Sequence, residues 1–188
     1  MVTNMSTTAL LVIDIQRGAF DGMRCAPIDR PTELVTNASL LIAAARDAGS
    51  PVVFIQHCDV VGAPFEEGAP HWELHEQLVL NGGETFIKKY ASSSFENTLL
   101  GETLTRLKIN DVILCGLQSE FCVRNTGNAA IDLGYNVSVA RDGHSTWPSE
   151  GQSSEVISEN VNKELAARGA VVASTAELAA MLRAGRVN

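Results

Sequence analysis

Short apolar runs rich in β-branched residues alternate along the chain with longer segments whose apolar residues recur at helical spacing. The short runs predict strands at 9–15, 51–57, 84–89, 111–117, 135–140 and 170–175. The longer segments predict helices at 32–49, 96–107, 123–134, 149–169 and 175–185. Thr32 is the expected N-cap of the first helix, and Gly49 is its expected stop. This alternation is typical of repeated β-α-β units.

The predicted strands are almost continuously apolar, which indicates a sheet that is covered on both faces. Right-handed crossovers then place helices on each side of it. The predicted fold class is α/β, a three-layer α-β-α sandwich of Rossmann type around a mainly parallel sheet of about six strands, and residues 1–188 are expected to form a single domain. Ligands of such sheets bind beyond the carboxyl ends of the strands, so the residues there are the first functional candidates.

The composition of the chain indicates which classes of partner it can bind. A net charge of −8 with 45% hydrophobic residues fits a soluble chain with a sizeable core, and it argues against a basic surface for nucleic acid or anionic lipid. The first apolar run is too short to cross a bilayer and follows no basic leader, so a cytoplasmic location is expected. The expected partners are a small molecule and other subunits, without nucleic acid or membrane. Residues 58–83 are long enough to form a loop over a pocket.

The four cysteines lack disulfide-rich density and paired metal spacing, and we interpret them as reduced thiols: Cys25, Cys58, Cys115 and Cys122. Cys122 is expected on the first turn of its helix, where free N–H groups and the helix dipole lower a thiol pKa. That placement suits a nucleophile. A buried helix cysteine is the alternative interpretation.

Two charged residues end neighbouring strands. Asp14 leaves the apolar run "LLVI", and Lys89 ends "ETFIKK" on the face opposite Lys88. A carboxylate, an ammonium and the thiol of Cys122 at adjacent strand ends are what acyl transfer through a thioester requires, with Asp14 as the proton carrier. Separately, Asp14 and Lys89 are equally consistent with a structural ion pair.

The corner before Cys122 offers backbone N–H groups for an oxyanion hole, and Gln118 and Cys122 are the candidate donors. A simple strand-to-helix turn is the alternative. His57 and His144 are alternative general bases of lower rank, since each is isolated at a strand end. A metal site after the second predicted strand has little support, because the possible ligands there do not follow the spacing of a known metal motif: His57, Cys58, Asp59, His71 and His75.

Several residues in or next to the strand-end loops are candidates for substrate contact. The aromatic residues Phe20, Trp72 and Trp147 could wall an apolar pocket, whereas Phe95 is at least as consistent with a loop anchor. The remaining candidates for substrate binding are the polar residues Gln118, Ser119 and His144.

Three motifs, "LLVIDIQ", "KYASSSFENTLL" and "GLQSEFCVRNTGNAAIDLGYNVSVARDGHSTW", resemble the isochorismatase-like cysteine hydrolases over nearly the whole chain. The loop "PFEEGAPHWELH" resembles a small-amidase subgroup with streptothricin hydrolase-like proteins. The resemblance implies an Asp-Lys-Cys triad at Asp14, Lys89 and Cys122, with the lysine six residues before Phe95. It also implies a cis peptide bond between Leu117 and Gln118, no cofactor, and a homodimer or higher homo-oligomer.

The resemblance also narrows the reaction. Isochorismatases of this family cleave a vinyl ether and lack the nucleophilic cysteine, whereas this chain keeps Cys122, which favours C–N hydrolysis. Nicotinamidases of the family hold a metal through an Asp and two His after the second strand, a set that "QHCDVVG" does not supply. The predicted function is therefore an amidohydrolase that uses a Cys122 thioester. A ligand-binding or scaffolding member without catalysis and a redox-sensing thiol are the alternatives.

Overall fold

The computed structural model of the protein describes residues 7–185, in which six parallel strands form one sheet. The strands are β1 (Thr8–Ile13), β2 (Val52–His57), β3 (Thr85–Lys89), β4 (Asp111–Leu117), β5 (Asn136–Ser145) and β6 (Val171–Ala173). The α-helices are α1 (Pro31–Asp47), α2 (Leu100–Arg106), α3 (Arg124–Asp132), α4 (Ser154–Ala167) and α5 (Thr175–Arg183). The strand order β3-β2-β1-β4-β5-β6 confirms the predicted α/β fold. Among the helices described, none combines the length and the hydropathy that a membrane span requires.

The two faces of the sheet pack against different helices. On β1, Leu10 and Val12 join the core beneath α1 and α5, while Leu11 and Ile13 join the core beneath α2, α3 and α4. All four side chains are fully buried. This two-sided burial is the reason why the strand is continuously apolar and does not alternate with polar residues.

Strand β5 is longer than the pattern predicts. It runs to Ser145 and contains a register shift: Val139 pairs with Leu114, but His144 is the residue opposite Gly116. The extra residues form an irregularity of the kind that breaks an apolar pattern, so the strand was expected to end near residue 140. His144 therefore lies inside the sheet and not in a loop beyond it.

Three helix starts also differ from prediction. Helix α4 begins at Ser154, five residues after the predicted start at 149, where the Ser153 side chain caps the helix by accepting from Val156 N. Helix α1 begins at Pro31 after an N-cap at Arg30, and not after Thr32, because the fixed φ of proline suits the first helical position. Helix α2 begins at Leu100, since Asn97 has a left-handed φ of 53° that interrupts a helix from residue 96.

Candidate active site

The carboxyl ends of β1, β2 and β3 bring three polar side chains to one edge of the sheet. His57 and Lys89 are register partners that end β2 and β3. Asp14 follows β1, and its backbone N–H donates to Ile55 O at 2.9 Å. Asp14 itself has a left-handed φ of 54°, so the chain turns at this residue as it leaves the strand.

Lys89 is the centre of this cluster. Its Nζ donates to Asp14 Oδ2 at 2.8 Å and to Cys122 Sγ at 3.0 Å. Its other acceptors are His57 Nδ1 and Ala91 O, both at 3.2 Å. The side chain of Lys89 is 0% exposed and that of Asp14 is 2% exposed, so their ion pair is shielded from water. The predicted set Asp14, Lys89 and Cys122 is therefore brought together in direct contact.

The neighbouring lysine has a different environment. Lys88 points to the opposite face, as the alternation of a strand requires, and its Nζ donates to Glu67 Oε1 at 2.6 Å on the exposed surface. The same ammonium lies 4.9 Å from the ring centroid of Trp72. Lys88 thus has its own partners outside the cluster.

Cys122 is a protonated thiol at rest, contrary to the expectation from its place near a helix start. Burial and the charge of Asp14 outweigh the opposing effect of Lys89 and raise the pKa of Cys122 to about 12. For Lys89, burial lowers the pKa, but Asp14 and Cys122 outweigh it and raise the pKa above its usual range. The cluster therefore contains an ammonium, a carboxylate and a thiol that needs a base.

Two groups that could accept the thiol proton, Asp14 and His57, lie near Cys122 Sγ. A carboxylate oxygen of Asp14, a ring nitrogen of His57 and Cys122 Sγ all lie within 4.8 Å of one another. Asp14 Oδ1 is buried and has no hydrogen-bond partner among the described residues. These three ligand types could also hold a metal, but the Lys89 ammonium contacts all three at 2.8, 3.2 and 3.0 Å and places a positive charge between them.

The possible metal ligands after β2 do not lie together in the structure. His57 and Asp59 line the cavity beside the cluster, whereas His71 and His75 line a separate cleft. Cys58 is buried, and its Sγ donates weakly to Gln56 O at 3.9 Å.

Cys122 lies on an unusual turn. Residues Ser119–Val123 form a single π-helical turn, and α3 starts only at Arg124. The preceding peptide bond, Leu117–Gln118, is cis. Gln118 O accepts hydrogen bonds from Phe121 N at 3.2 Å and Val123 N at 3.0 Å, which closes the turn. The turn holds Cys122 at the cavity wall, at the end of β4.

Gly116 lets β4 approach β1 just before this turn. Its φ is +130°, and a Cβ there would lie 1.9 Å from Ile13 O, a backbone atom that cannot move aside. Glycine is therefore required at this position.

A buried polar network supports the turn from behind. Ser119 Oγ lies 2.7 Å from His144 Nδ1 and 2.9 Å from Ser158 Oγ, and His144 Nε2 lies 3.0 Å from Asn162 Oδ1. Burial lowers the pKa of His144 although Asn162 opposes the shift, so the ring is neutral. It then donates from Nε2 to Asn162 and accepts from Ser119 at Nδ1. Ser119 and His144, candidates for substrate contact, thus join the turn to β5 and α4.

Loss of this network should destabilise the fold. We expect His144→Ala to lower the free energy of unfolding by about 2–4 kcal/mol, because it leaves a cavity and removes the hydrogen bonds that Ser119 and Asn162 make with the ring. Ser158→Ala removes a single bond and should cost about 1 kcal/mol. Urea unfolding of the two variants measures both values. An effect below about 0.5 kcal/mol for His144→Ala would contradict a structural role.

Cys122 opens onto a cavity of about 430 Å³. Its apolar walls come from the turn, from the long loop after β2 and from residues near both: Ala26, Pro64, Phe65, Leu117, Phe121 and Trp147. Its polar lining consists of Asp14, Cys25, His57, Asp59, Ser92, Gln118 and Cys122. A largely apolar cavity with a few convergent polar groups is the usual form of a small-molecule site.

Two of the six predicted substrate contacts, Gln118 and Trp147, line this cavity, and the other four do not: Phe20, Trp72, Ser119 and His144. Phe20 lies in the separate cleft, where its ring packs edge-on against His75 at 4.5 Å. Trp72 Nε1 donates to His57 O at 3.0 Å and so anchors the loop to the end of β2. Both aromatic rings stabilise loops around the site.

Phe95 is a core residue. Its ring stacks on Tyr135 at 5.8 Å and packs against the apolar cluster beneath α2, α3 and α4.

Sequence reasoning missed several residues of the cavity. Phe121 could have been found, because it precedes Cys122 within the corner itself. Phe65 and Asp59 come from the long loop, whose course depends on tertiary contacts such as the hydrogen bond from Asp59 N to Phe65 O at 2.8 Å. Cys25 enters from the segment before α1, and no local pattern marked it.

Comparison with known proteins places this geometry in a family. Residues 8–177 match the isochorismatase domain. The chain is 31% identical over 179 residues to a streptothricin hydrolase from Streptomyces noursei, an alignment that covers 95% of this chain but 63% of the relative. The chain thus spans less than two thirds of that relative's length.

Two further comparisons agree. An uncharacterised isochorismatase family protein from Bacillus subtilis is 32% identical over 158 residues, covering 83% of this chain and 87% of the relative. The crystal structure of an isochorismatase from Pseudomonas putida superposes with a TM-score of 0.84 at 30% identity, covering 92% of this chain and 90% of that chain. The chain belongs to the isochorismatase family of hydrolases.

Proposed function

We propose that this protein is a cysteine hydrolase that cleaves the C–N bond of a small amide through a thioester on Cys122. The observation that carries the proposal is the buried contact of Lys89 with both Asp14 and Cys122, at 2.8 and 3.0 Å, at the wall of a largely apolar cavity. A thiol, a base and a cation in mutual contact supply a nucleophile, its proton acceptor and charge stabilisation.

In the first half of the reaction, Asp14 accepts the thiol proton while Sγ of Cys122 attacks the carbonyl carbon. The C=O electron pair moves to oxygen, and backbone N–H groups of Gln118 and Cys122 would stabilise the oxyanion. Lys89 stabilises the thiolate as it forms. The intermediate collapses as the C–N bond breaks, and Asp14 returns the proton to the leaving amine, which leaves an acyl thioester on Cys122.

In the second half, a water molecule replaces the amine. Asp14 accepts a proton from the water, the hydroxide oxygen attacks the thioester carbonyl, and the C–S bond breaks. The thiolate takes the proton back from Asp14, and a carboxylic acid leaves. The sum is amide plus water to acid plus amine, and no cofactor is required.

The other reactions of the family fit the site less well. Vinyl ether cleavage gives no role to a thiol in contact with a lysine and a carboxylate. A nicotinamidase-type metal needs an Asp and two His together, whereas His57 pairs with Asp59 at 3.2 Å and His71 and His75 line another cleft. The Streptomyces noursei relative is a streptothricin hydrolase, which is consistent with an amidase, although that relative is a longer protein.

The test is a turnover panel. We expect the purified protein to release ammonia or amine from at least one small amide, with an equal amount of acid, and to leave isochorismate intact. Cys115→Ala, at a fully buried thiol of the core, should keep this activity. Cleavage of isochorismate without hydrolysis of any amide would contradict the proposal. A folded protein that turns over nothing would favour the ligand-binding alternative.

A further inference from the structure

The charge of the cavity lining indicates which charge on a substrate the cavity favours. Among the described residues that line the cavity, the carboxylates are Asp14 and Asp59, and none is a lysine or an arginine. Asp14 is neutralised by its ion pair with Lys89 at 2.8 Å. Asp59 is therefore the net charge that faces a bound ligand.

Asp59 is held in a defined place, one imidazole ring away from the cluster of Asp14, Lys89 and Cys122. Its Oδ1 lies 3.2 Å from His57 Nε2, and His57 Nδ1 accepts from Lys89 Nζ at 3.2 Å, so one imidazole ring separates Asp59 from the catalytic cluster. Because Nδ1 is the acceptor, Nε2 carries the proton and donates to Asp59. Neither a lysine nor an arginine pairs with Asp59 among the described residues.

Part of the carboxylate is free to bind a ligand. The side chain of Asp59 is 32% exposed, and its Oδ2 has no hydrogen bond within residues 7–185. The nearby loop cations have other partners: Arg24 pairs with Glu66 at 2.7 Å and Lys88 with Glu67 at 2.6 Å.

The aromatic walls around Asp59 also favour a positively charged ligand. Phe65, Phe121 and Trp147 line the cavity together with Asp59. The faces of aromatic rings attract ammonium groups and offer nothing to a carboxylate. An amide that carries a second carboxylate would meet Asp59 without a compensating cation.

We infer that the substrate is an amide that bears an amino group a short carbon spacer from the scissile carbonyl, and that Asp59 binds this ammonium as a specificity-determining residue. The inference rests on the proposed amidase function and names its substrate class. It also predicts discrimination against amides that carry a carboxylate at the same place.

The first test does not require turnover. Alkylation of Cys122 is measured with iodoacetamide and with iodoacetate, and the rate ratio cancels the ionisation of the thiol. We expect iodoacetate to be slower than iodoacetamide, and Asp59→Asn to raise the iodoacetate to iodoacetamide ratio about three- to tenfold. Asp132→Asn, at an exposed carboxylate paired with Arg168, should leave the ratio unchanged.

The second test uses three matched amides: β-alaninamide, butyramide and succinamate. We expect the wild type to have the highest kcat/KM for β-alaninamide, and Asp59→Asn to reduce its preference over butyramide by about tenfold while butyramide changes less than about threefold. A preference of the wild type for succinamate would overturn the inference. So would an Asp59→Asn variant in which both the preference for β-alaninamide and the alkylation ratio are unchanged. If the alkylation ratio changes as expected but no amide is hydrolysed, the proposed function is overturned and the inference about Asp59 is not.

Discussion

Cys122→Ala is expected to lower kcat by at least about 10⁴-fold on whichever amide the protein hydrolyses, because Cys122 is the nucleophile of the cavity lining that contacts Lys89. The substitution removes the sulfur that accepts from Lys89 at 3.0 Å. It leaves the ion pair of Lys89 with Asp14 intact. The melting temperature should therefore change little while turnover disappears, and steady-state kinetics beside thermal unfolding measures both.

The matched control for this variant is Cys115→Ala. Cys115 is fully buried in β4, and its Sγ donates weakly to Leu11 O at 3.8 Å. Its replacement should lower stability slightly and leave kcat within a few-fold. Substantial turnover by folded Cys122→Ala would exclude the thioester mechanism.

Asp14→Asn is expected to have the second largest effect on turnover. It should also separate the catalytic activity of Cys122 from the acidity of its thiol. It should lower kcat by about 10²–10⁴-fold, since the proton acceptor is lost. It should also make the thiol more acidic, because the charge of Asp14 raises the pKa of Cys122 and Lys89 lowers it. With Asp14 neutral, burial alone opposes Lys89, and alkylation of Cys122 by iodoacetamide at neutral pH should become at least about tenfold faster.

This variant suits the backbone, since asparagine tolerates the left-handed φ of 54° at position 14. Asp132→Asn serves again as the control, with unchanged turnover and alkylation. Near-normal turnover by Asp14→Asn would instead assign the base to His57, whose ring nitrogen also lies within 4.8 Å of Cys122 Sγ. Slower alkylation would contradict the electrostatic account of the thiol.

Strand ends were predictable from the sequence because they depend on local pattern. A continuous apolar run gives a strand buried on both faces, and parallel strands bring their carboxyl ends to one edge. Asp14 and Lys89 follow from these two rules, and strand alternation separates Lys89 from Lys88. The contact of Lys89 with Asp14 follows from this placement, whereas its contact with Cys122 also depends on the π-helical turn that holds the thiol at the cavity wall.

The remaining features depend on contacts that are distant in sequence. The register shift in β5 moves His144 into the sheet, where Asn162 of α4 and Ser119 of the turn satisfy it. The long loop after β2 decides that Phe65 faces the cavity and that Trp72 does not. The acidity of Cys122 was expected from helix position alone, whereas burial and Asp14 determine it.

The acyl group on Cys122 can be detected by acid-quenched intact-protein mass spectrometry. The substrate is a phenyl ester of the acyl group of an amide that the protein hydrolyses, since a good leaving group lets acylation outrun deacylation. We expect a mass increase of one acyl group, mapped to Cys122 by fragmentation of the 109–124 peptide and absent from Cys122→Ala. Turnover of the ester with no adduct on Cys122, or with the adduct on another residue, would contradict the thioester mechanism.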